Sequence, residues 1–462
     1  MCYGSTPALA WPITPLCVFG EHKRIAAYRQ GGILDESALT QVIMAPTFLA
    51  IQPMSSYRWV ILALCAMTPL FVVTLPNMSL PPLFDTLSHD LGMSLVETGM
   101  IWGTGSFMGI FFALIGGTLG DRFGTRATLF VTCLFTGLFG LTRAFAVDFP
   151  TLLLTTLAFS IFQAIIPVMV FKVARQWFPP EQLGMASGVI SAGFAGGLML
   201  GPLLSTSLIA PALGGWRPVL VFYGCIAIAL SLAWLVIHPV ERHSSATPPA
   251  RLSLADSLRH VVRLRNVWIL GIGGLGINAC FQGFTGYLPT YLKAIGWEDL
   301  TADRALAAFF VTSLAAVIPL SILSDRLRLR RGFLVVAALI LSVGVGLLSL
   351  VEDTRIVLVI AATGLVFDSF MAILNASVLE VRGVGHLYAG TALGFATMVR
   401  NLGGAFSPAV GNSLTIFGLN APFLFWGGMG LFAVCMFAFV LKPDRDAAPD
   451  MEALDAVRQP GA

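Results

Sequence analysis

Charge is what this chain has least of. Of its 462 residues, 11% are charged and 56% hydrophobic, with a mean hydropathy of +0.84. Soluble domains carry about 25% charged residues, so the shortage excludes an ordinary soluble fold. The net charge of +3 gives no argument for nucleic acid as a partner. The seven cysteines (Cys2, Cys17, Cys65, Cys133, Cys225, Cys280, Cys435) are scattered, without a CxxC or disulfide spacing. They read as small buried hydrophobes. The six histidines all fall at the ends of apolar runs or between them. With no HExxH and no Ser/His/Asp grouping at membrane depth, nothing points to an enzyme, a metal or a cofactor. Gly271 to Gly276 fits G-x-G-x-x-G, but it lies inside an apolar run, whereas the dinucleotide motif follows a strand and opens a helix.

What the chain does have is long apolar runs. About twenty apolar residues span a bilayer, and twelve such runs occur near 58–82, 97–119, 126–146, 150–174, 184–209, 216–238, 267–293, 304–324, 332–351, 355–378, 388–415 and 420–441. Basic residues collect on one side of this series: Arg122, Arg126, Lys172, Arg175, then Arg242 to Arg265, Arg326 to Arg331, Arg382, Lys442 and Arg445. The other side has Arg143, Arg217, Lys293, Arg304 and Arg355. The positive-inside rule then puts both termini in the cytoplasm of a multi-pass inner-membrane protein. Residues 1–56 read as a disordered cytoplasmic tail, with Met54 an alternative start directly before span 1. The expected division is 57–239 for six spans, 240–266 for a linker, 267–445 for six more, and 446–462 for a tail. The linker carries Pro248-Pro249 and then Leu252 to Arg259, a short basic amphipathic helix suited to an anionic leaflet.

Between spans 2 and 3 stands Gly117-Thr118-Leu119-Gly120-Asp121-Arg122-Phe123-Gly124-Thr125-Arg126. A carboxylate and two guanidiniums must lie at a membrane surface there, and the glycines permit a tight reversal. About 204 residues later, Ser321 to Arg330 repeats it in weaker form, keeping Leu323, Asp325, Arg326 and Arg330. In span 5, Gly188, Gly197, Gly201 and Pro202 recur about 206 residues later as Gly394, Gly403, Ser407 and Pro408 in span 11. Two landmarks at nearly one offset predict two related six-helix halves.

The turn resembles the loop G-x-L-x-D-R-x-G-R-[KR] of the major facilitator superfamily, with Thr125 replacing a usual basic residue. The resemblance covers about residues 57 to 445. It implies an all-α bundle of twelve transmembrane helices in two pseudo-symmetric halves, with spans 1, 4, 7 and 10 around a central cavity. It further implies a conformational latch formed by Gly117, Asp121, Arg122, Gly124, Arg126, Asp325 and Arg326. Asp121 would meet the positive amino-terminal end of span 11, and Asp325 that of span 5. The span-5 pattern Gly188, Gly197, Gly201 and Pro202 resembles the motif of proton-linked antiporters in this family. Close helix crossing is the preferred explanation, because span 11 carries the same spacing through symmetry alone.

Polar residues inside a membrane are functional candidates by default. At mid-depth these are Gln163, Asn278, Gln282, Asp368, Asn375, Arg400 and Asn401. Gln163, Asn278, Gln282, Asp368, Arg400 and Asn401 form the expected substrate-binding set. Asp368 and Arg400 are the only opposite charges near the centre, and counting along the spans gives them similar depth. Either they pair structurally, or Arg400 meets an anionic solute group or Asp368 carries a coupling proton. The expected activity is secondary active transport of a small anion by proton symport and alternating access, by a monomer in the lipid bilayer. Spans 1, 2 and 4–6 are similar to permeases of the cyanate and nitrate porter type. Span 5 lacks the Asn-containing glycine signature of nitrate porters, which argues against nitrate itself. The alternatives are a proton-linked drug or metabolite exporter and a transporter-like solute sensor.

Overall fold

An apolar run in a bilayer has no water to satisfy its backbone, so it closes its own hydrogen bonds as a helix. The computed structural model describes residues 57–179, 182–236, 254–327, 330–353 and 355–441. The two tails, residues 237–239 and residues 240–253 of the expected linker lie outside the described residues. Twelve long helices stand at the twelve expected places: α1 Tyr57–Met78, α2 Leu95–Phe123, α3 Thr125–Thr142, α4 Phe149–Trp177, α5 Leu183–Leu204 and α6 Trp216–Val236. They continue as α7 Arg265–Ala294, α8 Asp299–Leu327, α9 Arg330–Leu347, α10 Arg355–Leu379, α11 Gly385–Ser413 and α12 Ala421–Val440. Among the described residues, ten of these are long and apolar enough to cross a membrane. The other two, α2 and α11, have 29 residues each and pack along one another.

The termini of these helices follow their sequence. Ser94 and Glu97 form a capping box at the start of α2, and Asp148 with Thr151 forms one at α4. Gly124, at φ +81°, makes the reversal between α2 and α3. Two breaks were not expected. In α1, Pro69 opens a wide π-turn over Pro69–Thr74. In α4, regular helix stops at Gln163 and resumes at Ile166, because Pro167 offers no N–H to the Gln163 carbonyl.

The halves repeat in their contacts as well as in their order. In the first, Gly137 of α3 faces Gly224 of α6; a β-carbon on Gly137 would stand 2.9 Å from the Gly224 carbonyl. In the second, one on Gly427 of α12 would stand 3.0 Å from the Ser342 carbonyl of α9. Small residues let the backbones approach this closely, and packing then replaces the absent hydrophobic drive. Arg126 at the start of α3 donates to the Trp234 carbonyl (3.2 Å) and to that of Leu235, the orphan carbonyls ending α6. Arg331 at the start of α9 does the same for Phe437 (3.0 Å) and Ala438 at the end of α12. The structural counterpart of Arg126 is therefore Arg331, one residue beyond the Arg330 expected from the offset. Arg330 turns to Glu380 instead, at 2.9 Å.

The linker helix Leu254–Val262 lies against α11. His260 Nε2 is 2.8 Å from the Gly383 carbonyl, and its ring stacks on Tyr388 at 4.2 Å.

Candidate functional site

A polar cavity of about 190 Å³ lies where the halves meet. Asn77 and Leu80 bound it from the α1 side, Ile101, Trp102, Thr104, Gly105 and Ser106 from α2, Thr156 and Gln163 from α4, Gln282 from α7 and Asn401 from α11. Of the six expected substrate-binding residues, Gln163, Gln282 and Asn401 thus share one space. The breaks in α1 and α4 place it. Gln163 sits at the α4 break, donates to the Val73 carbonyl of the α1 π-turn (3.0 Å) and accepts from Asn77 (3.1 Å). It is a brace as well as a wall, 4% exposed. Sequence reasoning missed Trp102, Ser106 and Thr156, whose residue types are common in apolar helices. The Thr156 hydroxyl is buried without a partner, an arrangement that suits a solute able to take its hydrogen bond.

Asn278, Asp368 and Arg400 do not line the cavity. Asn278 Nδ2 donates to the Arg400 carbonyl at 3.2 Å, fixing α11 against α7. The Arg400 side chain passes Gly274, where a β-carbon would stand 3.5 Å from its Cδ, and points to α10. There its Nη1 lies 3.5 Å from Asn375 Oδ1 and 3.6 Å from Met371 Sδ. The structural pair with Asp368, one of the two alternatives, does not form: among the described residues no salt bridge joins them, and the Asp368 N–H is 3.0 Å from Ser313 Oγ of α8. Helix counting gave the depth of each side chain but not its direction around the helix. Arg400 is left with neutral neighbours.

One end of the cavity is sealed. Asn412 Nδ2 donates to the Leu95 carbonyl at 2.6 Å, and Trp102 Nε1 to the Gln282 carbonyl at 2.7 Å. A β-carbon on Gly99 would lie 2.7 Å from the Ala409 nitrogen. Lys293, at the end of α7, donates to the Pro82 carbonyl at 2.9 Å and faces Asp303 at 3.5 Å and Asp299 at 3.8 Å. All these residues lie at the end opposite the Arg126 turn. Nearby, Asp90 accepts from Trp216 Nε1 (2.9 Å) and Arg217 Nη1 (2.7 Å). Those two donors hold its carboxyl below the usual carboxylate range. Toward the Arg126 end, a β-carbon on Gly184 or Gly188 of α5, or on Gly390 of α11, would meet nothing within 4 Å.

Of the expected latch, the side chains of Gly117, Asp121 and Asp325 lie outside the described residues. Arg122 is exposed over the Phe123 ring at 5.4 Å, and Arg326 is exposed. Of the span-5 motif, Gly197 packs on Thr74 and Gly201 on Met78, where a β-carbon would stand 2.6 Å from the Met78 Cβ, with Pro202 buried beside them. Gly403 meets the Leu275 carbonyl in α7, and Ser407 Oγ donates to Ala279 at 2.8 Å. The motif positions thus serve the same crossing in both halves.

Known proteins agree with this architecture. The hexuronate transporter of Bacillus subtilis is 30% identical over 149 residues, 32% of this chain and 35% of that protein. A probable nitrate/nitrite transporter of Mycobacterium tuberculosis is 27% identical over 254 residues, 53% of this chain and 62% of the other. The 4-hydroxybenzoate transporter of Pseudomonas aeruginosa is 26% identical over 286 residues, 54% and 62% of the two chains. The alignments therefore span between about a third and three fifths of these relatives. A bacterial homologue of the human lysosomal transporter Spinster, solved inward-facing and unoccupied, superposes with a TM-score of 0.70 at 13% identity, over 84% of this chain and 96% of that one. At that identity the likeness speaks for the fold alone. The family model described as Major Facilitator Superfamily matches residues 62–303 and 294–459. With nearly the whole helical region covered and the helices paired half against half, the chain belongs to the Major Facilitator Superfamily.

Proposed function

We propose that the protein is a secondary active transporter of a small organic or inorganic anion, driven by proton symport through alternating access. The observation that carries this reading is Arg400, a guanidinium inside the bundle whose neighbours Asn375 and Met371 are neutral. A buried cation without an acid is expensive unless something negative visits it. Gly274 beside it and Gln282 on the cavity wall lie eight residues apart on α7, or about 12 Å along the axis. Arg400 then stands between the cavity and the Arg126 end. The sealed opposite end and the open glycine faces of α5 and α11 support an inward-open state, with the Arg126 turn and both termini cytoplasmic. Asp121 and Asp325 would engage as a latch in the other state. Asp368, on the same helix as Asn375, is the proposed proton carrier. Gln163, Asn278, Gln282 and Asn401 would orient the solute by hydrogen bonds. Relatives named for nitrate, hexuronate and 4-hydroxybenzoate, all anions, support the solute class.

The exporter reading rested on the span-5 glycines, and packing against α1 accounts for Gly197 and Gly201. A thermal-shift screen of purified protein against nitrate, hexuronate, 4-hydroxybenzoate and lipophilic cations separates the two. Stabilisation by an anion, lost in Arg400→Gln, is expected. Stabilisation by cations alone would sink the anion reading.

A further inference from the structure

The first half holds a second buried arginine that the transport reading does not use. Arg143 ends α3 and is 1% exposed; its Nε and Nη1 have no hydrogen-bond partner. Its Cζ lies 4.0 Å from the Phe159 ring centroid on α4, a cation–π contact that offsets part of the burial. The gap around it is lined by Val72 and Pro76 of α1, Thr136 and Gly140 of α3, and Tyr223 and Gly224 of α6, none of them charged. The Thr136 hydroxyl is also without a partner, and the Tyr223 hydroxyl is taken by Ser205 at 2.9 Å. The acids placed outward of it are engaged elsewhere, Asp148 with Thr151 and Asp90 with Trp216 and Arg217. Side chains lean toward the amino-terminal end of their helix, so a residue at the end of α3 sends its guanidinium back into the bundle.

This gap and the central cavity share two walls. On α1, Pro76 faces the gap and Asn77 the cavity; on α4, Phe159 faces the gap and Thr156 the cavity. The guanidinium is therefore about one helix diameter, on the order of 10 Å, behind the cavity wall. No solute reaches it there, but its field does. At an effective dielectric of about 20, a unit charge at that distance alters the local concentration of a monovalent ion roughly ten-fold.

We propose that Arg143 is a specificity-determining residue that acts at a distance: it biases the cavity toward anions from the first half, as Arg400 does from the second. The inference rests on the anion reading but is tested apart from it. Gly105 lines the cavity, and a β-carbon there meets nothing within 4 Å. A Gly105→Cys variant, with the seven native cysteines replaced, reports the local field through its rate with a sulfonate-bearing methanethiosulfonate against a trimethylammonium-bearing one. After correction for a free thiol in solution, the sulfonate reagent reacts faster in the otherwise unchanged chain. Arg143→Met lowers that ratio at least ten-fold, Arg143→Gln does likewise, and Arg143→Lys stays within two-fold. A ratio below one before Arg143 is altered, or one that either neutral variant leaves within two-fold, overturns the proposal. A positive cavity in a protein that no anion stabilises would instead overturn the transport reading alone.

Discussion

The two halves hold themselves together alike and line the cavity differently. Arg126 and Arg331 fasten the same helix ends, Gly137 and Gly427 mark the same crossings, and Gly201 is matched by Ser407. Around the cavity, by contrast, the first half offers Asn77, Thr156 and Gln163, and the second Gln282, Asn401 and nearby Arg400. Repetition marks what a six-helix bundle needs in order to stand. Departure from it marks where the proposed solute contacts would lie.

That contrast can be broken in several places. The largest effect is expected at an unrepeated position: Arg400→Gln should lower anion uptake into proteoliposomes about a hundred-fold, as the loss of charge-assisted hydrogen bonds of roughly 3 kcal/mol implies. Uptake within a few-fold of normal would return Arg400 to the scaffold. Asp368→Asn should abolish uptake driven by a proton gradient while sparing solute exchange; coupling that survives would rule out its carrier role. Next come the crossings. Gly137→Val and Gly427→Val each force a side chain onto backbone, and overpacking of that kind costs about 1–3 kcal/mol. Denaturant titration of the purified variants should give similar losses. Smaller still, Arg126→Ala and Arg331→Ala should each cost about 1 kcal/mol by freeing the carbonyls that end α6 and α12. Losses differing more than two-fold would show that the repeat is one of shape and not of energy.

The smallest effect concerns Asp90. Its folded carboxyl titrates below the unfolded one, so its contribution is present above about pH 4 and fades as pH falls through the lower folded value. Asp90→Asn should therefore lower the melting temperature slightly at neutral pH and flatten the acid limb of its pH profile, the difference from the parent chain vanishing below the folded value.

Much of this was legible in the sequence because hydrocarbon tolerates so few exceptions. Each apolar run had to be a helix, and Gln163, Gln282 and Asn401 had to face something wet or polar. The misses share a cause: sequence gives position along a helix more readily than direction around or out of it. Arg143 stands at the end of an apolar run and counts as a loop charge until its side chain is seen turning inward. Asp368 and Arg400 agree in depth yet face different neighbours. Pro167 is plain in the sequence, but a proline inside a membrane helix is ordinary; only the Gln163 brace shows what its break supplies.

The bridge from Lys293 to Pro82 carries a last consequence. Its acceptor belongs to the main chain, so any residue placed at position 82 would still present it. The strength of that contact, one of several at the sealed end, is set by one ammonium and by Asp299 and Asp303, which compete for it. Substitution at position 82 can shift that acceptor but not remove it, so the strength of this contact is adjusted from the side of Lys293 and its two acids.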